Sequence, residues 1–409
     1  MKYTLMLIFV LAGISLSGCG QKDNTAEAAS ADVDGSFHIR VLLLDDAGTC
    51  RLNIDGGFEI ITSDMAGAIE MKAQSVPVEI TIIDGKWILL GRRISSENIT
   101  IVPCNAAVFS LNGENFRGVL HLIAETDRKS FDAINSLPME DYLNGVISAE
   151  MPYYWEQQVL QAQAIAARTY CWFIKNSFGL DRKWDVRKTQ ASQMYRGVVA
   201  ETARTREAIT KTAGKILFCE QDDGEMKPFP AYYSSTCGGH TEDSKNVFGD
   251  SYTALCGVEC PYCWDSVKVS LLFWPMVQFD KKTVSQRIFK RYPNLENLKS
   301  IKDIVVTRES DYGEFKRITM VKLIGSSGKE GVLRGEDLRL AIDQTGAKIK
   351  SAACRIILIG DEWTFVAGRG YGHGVGMCQY GALEMARNGK SAKEILKYYY
   401  PGSKIKKLY

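Results

Sequence analysis

Residues 368–382 read GRGYGHGVGMCQYGA, with glycine at every second position over residues 368–376. In an extended chain, residues two apart share a face. Arg369, Tyr371, His373 and Val375 are therefore predicted on one side, with bare backbone on the other. Glycine inside a strand pattern marks a bulge or a close approach by a ligand or a second backbone. The stretch thus predicts a strand with a very near neighbour, running into a helix over MCQYGALEMARNG that stops at Asn388-Gly389. The local pattern leaves open whether that neighbour is a ligand or the protein itself.

The chain has 409 residues and 45% hydrophobic content, enough for a sizeable core in two domains or in one domain with insertions. Fifty basic residues against 48 acidic ones give a net charge of +2. That balance lacks the basic field of a nucleic-acid binder and suits a neutral polymer, so no nucleic-acid partner is expected. The N-terminus, MKYTLMLIFVLAGISLSGCG, has Lys2, an apolar run over 5–11 and small residues up to Cys19. This is the layout of a secretory signal, and the run is too short to span a membrane comfortably. Leu16-Ser17-Gly18-Cys19 resembles a bacterial lipoprotein box. Residues 1–19 are read as a lipoprotein signal with Cys19 as the lipidated residue, and 20–35 as a polar tether. The expected location is the cell envelope or periplasmic face of a membrane, through a lipid anchor.

From 36 to 130, short β-rich runs (HIRVLLL, FEIITS, VEITII, WILLG, ITIVP, GVLHLIA) alternate with Gly, Asn and Asp turns and predict a β-rich domain. Beyond it the pattern mixes helix and strand over 137–402. The fold class is α+β: a β-rich N-terminal region followed by a mixed α/β domain. Pro138 with Glu140 and Asp141 marks a helix start, Leu143 and Ile147 repeat at i, i+4, and Pro152 should stop the helix at Met151. A second helix is predicted from 153–155, with Ala162, Ala164, Ala166 and Ala167 favouring helix and close packing. Strands are predicted at IVVTRES, RITMVKLIG and RIILIG, with a helix at GEDLRLAI between the last two.

Glu150 is the strongest single candidate for chemistry. It falls seven residues after Leu143, on the apolar face and at the C-terminal end of the first predicted helix. There the helix dipole disfavours negative charge, and Met151, Tyr153, Tyr154 and Trp155 flank it; both effects raise its pKa, while the next helix's N-terminus opposes them. A carboxyl held near neutral ionisation is what a general acid in glycoside cleavage needs. A capping or salt-bridged glutamate is the plainer reading of the same residue.

Cys237-x2-His240 and Cys256-x3-Cys260-x2-Cys263 offer five soft or borderline ligands in a short span. Tetrahedral zinc needs four, and the expected set is Cys237, His240, Cys260 and Cys263 in an insertion at 237–263, with Cys256 as substitute. Export permits disulfides as the competing reading. The two tight x2 pairs favour zinc. His373 and Cys378 can be read as a nucleophilic pair, because a thiol in a helix's first turn has a lowered pKa. The preferred reading makes Cys378 a small residue packed near glycine. Gln193, Tyr371, His373 and Gln379 are then the candidate substrate-binding residues.

Five segments, AEMPYYWEQQVLQAQAIAARTY, SQMYRGVVAETARTREAITKTAGKIL, AYYSSTCGGHTE, GRGYGHGVGMCQYGA and ILKYYYPG, together resemble the stage II sporulation protein D (SpoIID) family, which includes amidase enhancers. The resemblance implies a SpoIID-like catalytic domain over 137–402. It also implies a peptidoglycan lytic transglycosylase that cleaves glycan strands after N-acetylmuramic acid, preferably strands stripped of stem peptides by an amidase. The family's catalytic glutamate lies in the E-M-P motif, here Glu150. Its implied role is to protonate the leaving oxygen and then deprotonate the muramic acid C6 hydroxyl, giving a 1,6-anhydro end with no cofactor in catalysis. Some members bind zinc near the CGG segment, which implies a structural site here. Serine is common where this chain has Cys378. Two other readings follow: a non-catalytic glycan-binding enhancer of an N-acetylmuramoyl-L-alanine amidase, and a cysteine amidase using Cys378 and His373, for which no third orienting residue is identified.

Overall fold

The alternating runs before residue 130 build two sheets. One holds six antiparallel strands, centred on Thr49–Ile54 and Val78–Ile83. The other has seven, in the order Val186–Arg187, His38–Ala47, Phe131–Pro138, Val119–Ala124, Asn98–Pro103, Phe58–Thr62, Ile69–Met71. Burial alternates along Asn98–Pro103 and Thr49–Ile54, as expected when one sheet face is covered. Trp87 of the first sheet and Phe131 of the second meet with ring centroids 5.2 Å apart, so apolar faces of the two sheets pack together. The computed structural model describes residues 37–409 apart from 55, 63–68, 72–76, 107 and 179–181. The lipoprotein signal, Cys19 and the polar tether lie outside the described residues. His38–Tyr409 form one compact unit.

Strand Phe131–Pro138 breaks the alternation, because its first five residues are all buried. It pairs with His38–Ala47 on one side and Val119–Ala124 on the other, and Pro138 then caps helix Met139–Asn144. The helix predicted to run on to Met151 is two helices, Met139–Asn144 and Ile147–Glu150. Gly145 is the reason. A Cβ there would sit 2.4 Å from the Tyr195 ring, and its carbonyl accepts a hydrogen bond from the Arg196 N–H at 3.0 Å. The second helix begins at Gln157 rather than at 153–155, after a turn in which the Trp155 N–H donates to the Pro152 carbonyl. The long helix Gln157–Phe178 buries Ala162, Ala164, Ala166 and Ala167, and fully buried Arg168 pins it with Nε and Nη2 on the two Glu140 oxygens at 2.9 and 2.7 Å.

Between Cys263 and Gly368 the chain builds a second core. Phe279, Val284, Ile288, Val321, Leu323, Leu338 and Trp363 pack between helices Lys281–Arg291 and Gly335–Ile342 and the hairpin Ile301–Tyr312 with Phe315–Gly325. The strands and helix predicted for this region are present. Among the described residues no helix is long and apolar enough to cross a membrane.

The glycine stretch is not the continuous strand its alternation predicts. Only Gly368–Arg369 and Met377–Cys378 are strand. Gly370, Gly372, Gly374 and Gly376 have φ of 77°, 102°, 79° and 71°, so every second residue enters the region that side chains disfavour. The neighbour on the bare side is the protein's own backbone. A Cβ on Gly370 would lie 2.8 Å from the Thr236 carbonyl oxygen, and one on Gly376 would lie 1.9 Å from that of Tyr232. Tyr233 and Ser234 pair in parallel with Met377 and Cys378, and the Tyr371 N–H donates to the Thr236 oxygen at 2.8 Å.

Candidate active site

Glu150 ends the short helix Ile147–Glu150, where Met151 turns to extended backbone ahead of Pro152. The carboxyl is half-buried, and its Oε1 accepts a hydrogen bond from the Met194 N–H at 2.6 Å. Burial pushes the group up from 4.5 to about 7, and the Met194 N–H acts against that rise. Oε2 has no hydrogen-bond partner among the described residues. From the other end of the chain, Gln379 Nε2 donates to the Glu150 backbone carbonyl at 3.3 Å. The E-M-P turn is therefore held by residues from two other motifs.

Phenols surround this carboxyl. Burial is the main cause of the high pKa of Tyr142, Tyr170 and Tyr233, and the nearby Glu150 charge raises each further. The Tyr233 hydroxyl is buried beside the Gln193 amide, and Oγ of Ser234 is buried with no hydrogen-bond partner among the described residues. Such an orphaned group is costly unless something binds it. On the outer side Tyr153 and Tyr154 are about half and two-thirds exposed, 5.7 Å apart edge to face, while Trp155 packs on Tyr380 at 4.9 Å. Sequence reasoning missed Tyr142, Tyr170 and Tyr233. The only signal for Tyr233 was its place in the AYYSSTCGGHTE motif.

The other sequence-predicted residues fall in different places. Gln379 reaches Glu150, as described. Gln193 is turned inward: it is buried, its Oε1 accepts from Tyr142 Oη at 3.1 Å and Cys171 Sγ at 2.9 Å, and its Nε2 donates to the Ala167 carbonyl at 3.3 Å. An amide with three bonds inside the protein fixes the peptide whose next residue, Met194, holds Glu150. His373 accepts from the Val375 N–H on Nδ1 at 3.0 Å, which puts its proton on Nε2, and its ring lies 5.2 Å from that of Phe248. Burial lowers its pKa to about 4, so it is neutral. Tyr371 is half-buried with Lys350 Nζ 5.5 Å over its ring. Tyr371 thus contacts Thr236 and Lys350, and His373 contacts Val375, Phe248 and Tyr232.

The cysteines converge, but not on the expected set. Sγ atoms of Cys237, Cys260, Cys263 and Cys378 all lie within 4.8 Å of one another, and all four residues are fully buried. His240 is elsewhere: its ring stacks flat on Tyr312 at 3.6 Å, and Nδ1 lies 2.6 Å from the Thr241 carbonyl. Cys256 is exposed. Cys378 takes the position expected of His240 and is shut inside the cluster, so it is not placed as a nucleophile. The four sulfurs fit a zinc ion: with Zn–S near 2.3 Å a tetrahedron has S–S edges of roughly 3.8 Å, and Cys237 and Cys263 are 3.7 Å apart.

Comparison with known proteins agrees with these motifs. Residues 127–218 match the family model described as Stage II sporulation protein (SpoIID). An uncharacterised protein of Brachyspira hyodysenteriae is 31% identical over 90% of this chain and 92% of its own length. The stage II sporulation protein D of Bacillus subtilis is 30% identical, over 68% of this chain and 77% of its own. The amidase enhancer of the same organism is 26% identical over 80% of this chain and 49% of its own.

Proposed function

This chain belongs to the stage II sporulation protein D family, and on that premise we propose that it is a cell-wall lytic transglycosylase with Glu150 as its acid and base. The observation that carries the proposal is the state of that carboxyl. Half-buried, with a pKa of about 7, one oxygen held by Met194 and the other free, it can give up a proton near neutral pH and take one back. In the first half of the reaction the protonated acid hands its proton to the glycosidic oxygen leaving C1 of N-acetylmuramic acid. In the second, the carboxylate accepts the proton of that sugar's C6 hydroxyl as its oxygen bonds to C1. The products are a 1,6-anhydro end and a free hydroxyl on the departing sugar. No water is consumed, and the acid ends as it began.

Two features support this over ordinary hydrolysis. Hydrolysis of the common kind needs a second carboxylate on the opposite face of the sugar, and among the described residues the groups found near Glu150 are phenols and amides. The exposed Tyr153 and Tyr154 beside it offer aromatic faces for sugar stacking. Gln379 and Gln193 serve the site by holding Glu150 and Met194; Tyr371 and His373 shape the loop that carries Gln379.

A second reading is favoured by one comparison, the similarity to an amidase enhancer over 80% of this chain. In that reading the same groove binds glycan and stimulates an N-acetylmuramoyl-L-alanine amidase without cleaving. Purified protein incubated with amidase-treated glycan strands, with products read by mass spectrometry, separates the two. Anhydro-muramic ends that disappear with Glu150→Gln support the enzyme. Their absence alongside intact stimulation of an amidase supports the enhancer. In either case the chain acts at the cell wall, and we place it there by export and a lipid on Cys19.

A further inference from the structure

We infer that Cys237, Cys260, Cys263 and Cys378 hold one zinc ion as a closed four-thiolate site, and that this ion fixes the turn from which Gln379 reaches Glu150. The ligand set follows from geometry. A disulfide needs its sulfurs at about 2.05 Å, whereas Cys237 and Cys263 stand at 3.7 Å, near a tetrahedral zinc–thiolate edge. Four fully buried thiols in mutual contact have little to gain as neutral hydrogen-bond partners, since a thiol is a weak donor and a weak acceptor.

The surroundings are arranged for anionic sulfur. The backbone N–H groups of Cys237 and Gly381 point at Cys378 Sγ at 3.3 and 3.4 Å, and Tyr399 Oη lies 3.1 Å from Cys260 Sγ. These outer partners orient and stabilise thiolates in the way that supporting shells do at structural metal centres. Gly381 makes the approach possible, because a Cβ on it would lie 2.7 Å from Cys260 Sγ and 2.1 Å from the Tyr399 hydroxyl.

The site joins three segments. Cys237 follows strand Tyr233–Ser234, Cys260 and Cys263 lie in CPYC, and Cys378 caps helix Gln379–Arg387. Residues 264–367, with their own core, leave from the cluster and return beside it. The residue after Cys378 is Gln379, whose amide holds the Glu150 carbonyl. A metal at this point therefore braces the site's backbone without touching the sugar.

The test uses the full chain, with zinc measured per protein and cobalt then substituted for it. One zinc per chain is expected, and cobalt should show the intense charge-transfer absorption of four thiolates. Cys378→Ser should lower that absorption to the three-thiolate level or release the metal, while His240→Ala and Cys256→Ser leave both measurements unchanged. Because a serine variant can fail to fold, the cobalt spectrum of the unaltered chain is decisive: a mixed thiolate–imidazole spectrum overturns the ligand set, and a folded chain that binds neither metal overturns the site. For the brace, chelation should speed amide exchange over 377–387 and 147–151 more than in strand Asn98–Pro103. Equal exchange in the bound and stripped chains defeats that part. None of these readouts involves glycan cleavage, so the metal site and the transglycosylase reading fail separately.

Discussion

A carboxyl raised to about 7 is a statement about stability as well as chemistry. The native state binds the Glu150 proton more tightly than the unfolded chain, whose group titrates near 4.5. Its stabilising contribution is therefore complete below about pH 4.5 and is lost as pH rises through about 7. The ionised form above that range costs the fold on the order of 2 kcal/mol, after allowance for partial exposure. Glu150→Gln should then raise the urea midpoint relative to the parent at pH 8 and leave it nearly unchanged at pH 4.5. A gap that does not widen with pH would rule out burial as the cause. The same substitution should lower anhydro-product formation by about 100-fold or more, and in the parent kcat/KM should fall as pH climbs past about 7, where the acid loses its proton.

At the level of elements, the glycine stretch is held by its own neighbour. Gly376→Ala puts a methyl 1.9 Å from the Tyr232 carbonyl oxygen and also strains a φ of 71°. Gly389 has φ of 77° with open space around it, so alanine there meets only the conformational cost. Urea unfolding should show Gly389→Ala losing about 1 kcal/mol and Gly376→Ala at least twice that. Equal losses would mean that the Tyr232–Gly376 approach relaxes cheaply. This stretch also marks what local pattern can and cannot give. Strands such as Asn98–Pro103 and the helix Gln157–Phe178 were legible because their burial follows period 2 or an alanine-rich face. Alternating glycine fits both a strand and a run of left-handed turns, and only a contact with residues 232–237 decides between them. Cys378 was missed as a cluster member for the same reason: it stands 141 residues from Cys237, while His240 is three away and has ideal spacing. The place of Glu150 at a helix end was legible, but the burial that raises its carboxyl is tertiary, since the neighbouring Tyr153 and Tyr154 are exposed.

Across the whole molecule, a few buried polar clamps hold distant parts in register. Arg168 binds Glu140 through two nitrogens and the Lys215 carbonyl through Nη1 at 3.0 Å, and the Tyr409 hydroxyl closes on Glu140 Oε1 at 2.7 Å. Four chain segments meet there, behind the helices that carry Glu150. Arg168→Ala strands a partly covered carboxylate and should cost about 3 kcal/mol by denaturant unfolding; a loss under about 1 kcal/mol would mean water replaces the guanidinium. The chain's net charge of +2 offers little long-range attraction to an anionic membrane surface, and the proposed lipid on Cys19 would supply the hold. A single acyl chain binds a bilayer only marginally, and the multiple chains of a lipoprotein-type modification at Cys19 would supply the rest. Cells expressing the chain and fed a labelled fatty acid should incorporate it into this protein. Cys19→Ala should abolish the label and move the protein from the membrane pellet to the soluble fraction. Labelling that survives Cys19→Ala, or a pellet that keeps the unlabelled variant, would move the anchor away from this cysteine.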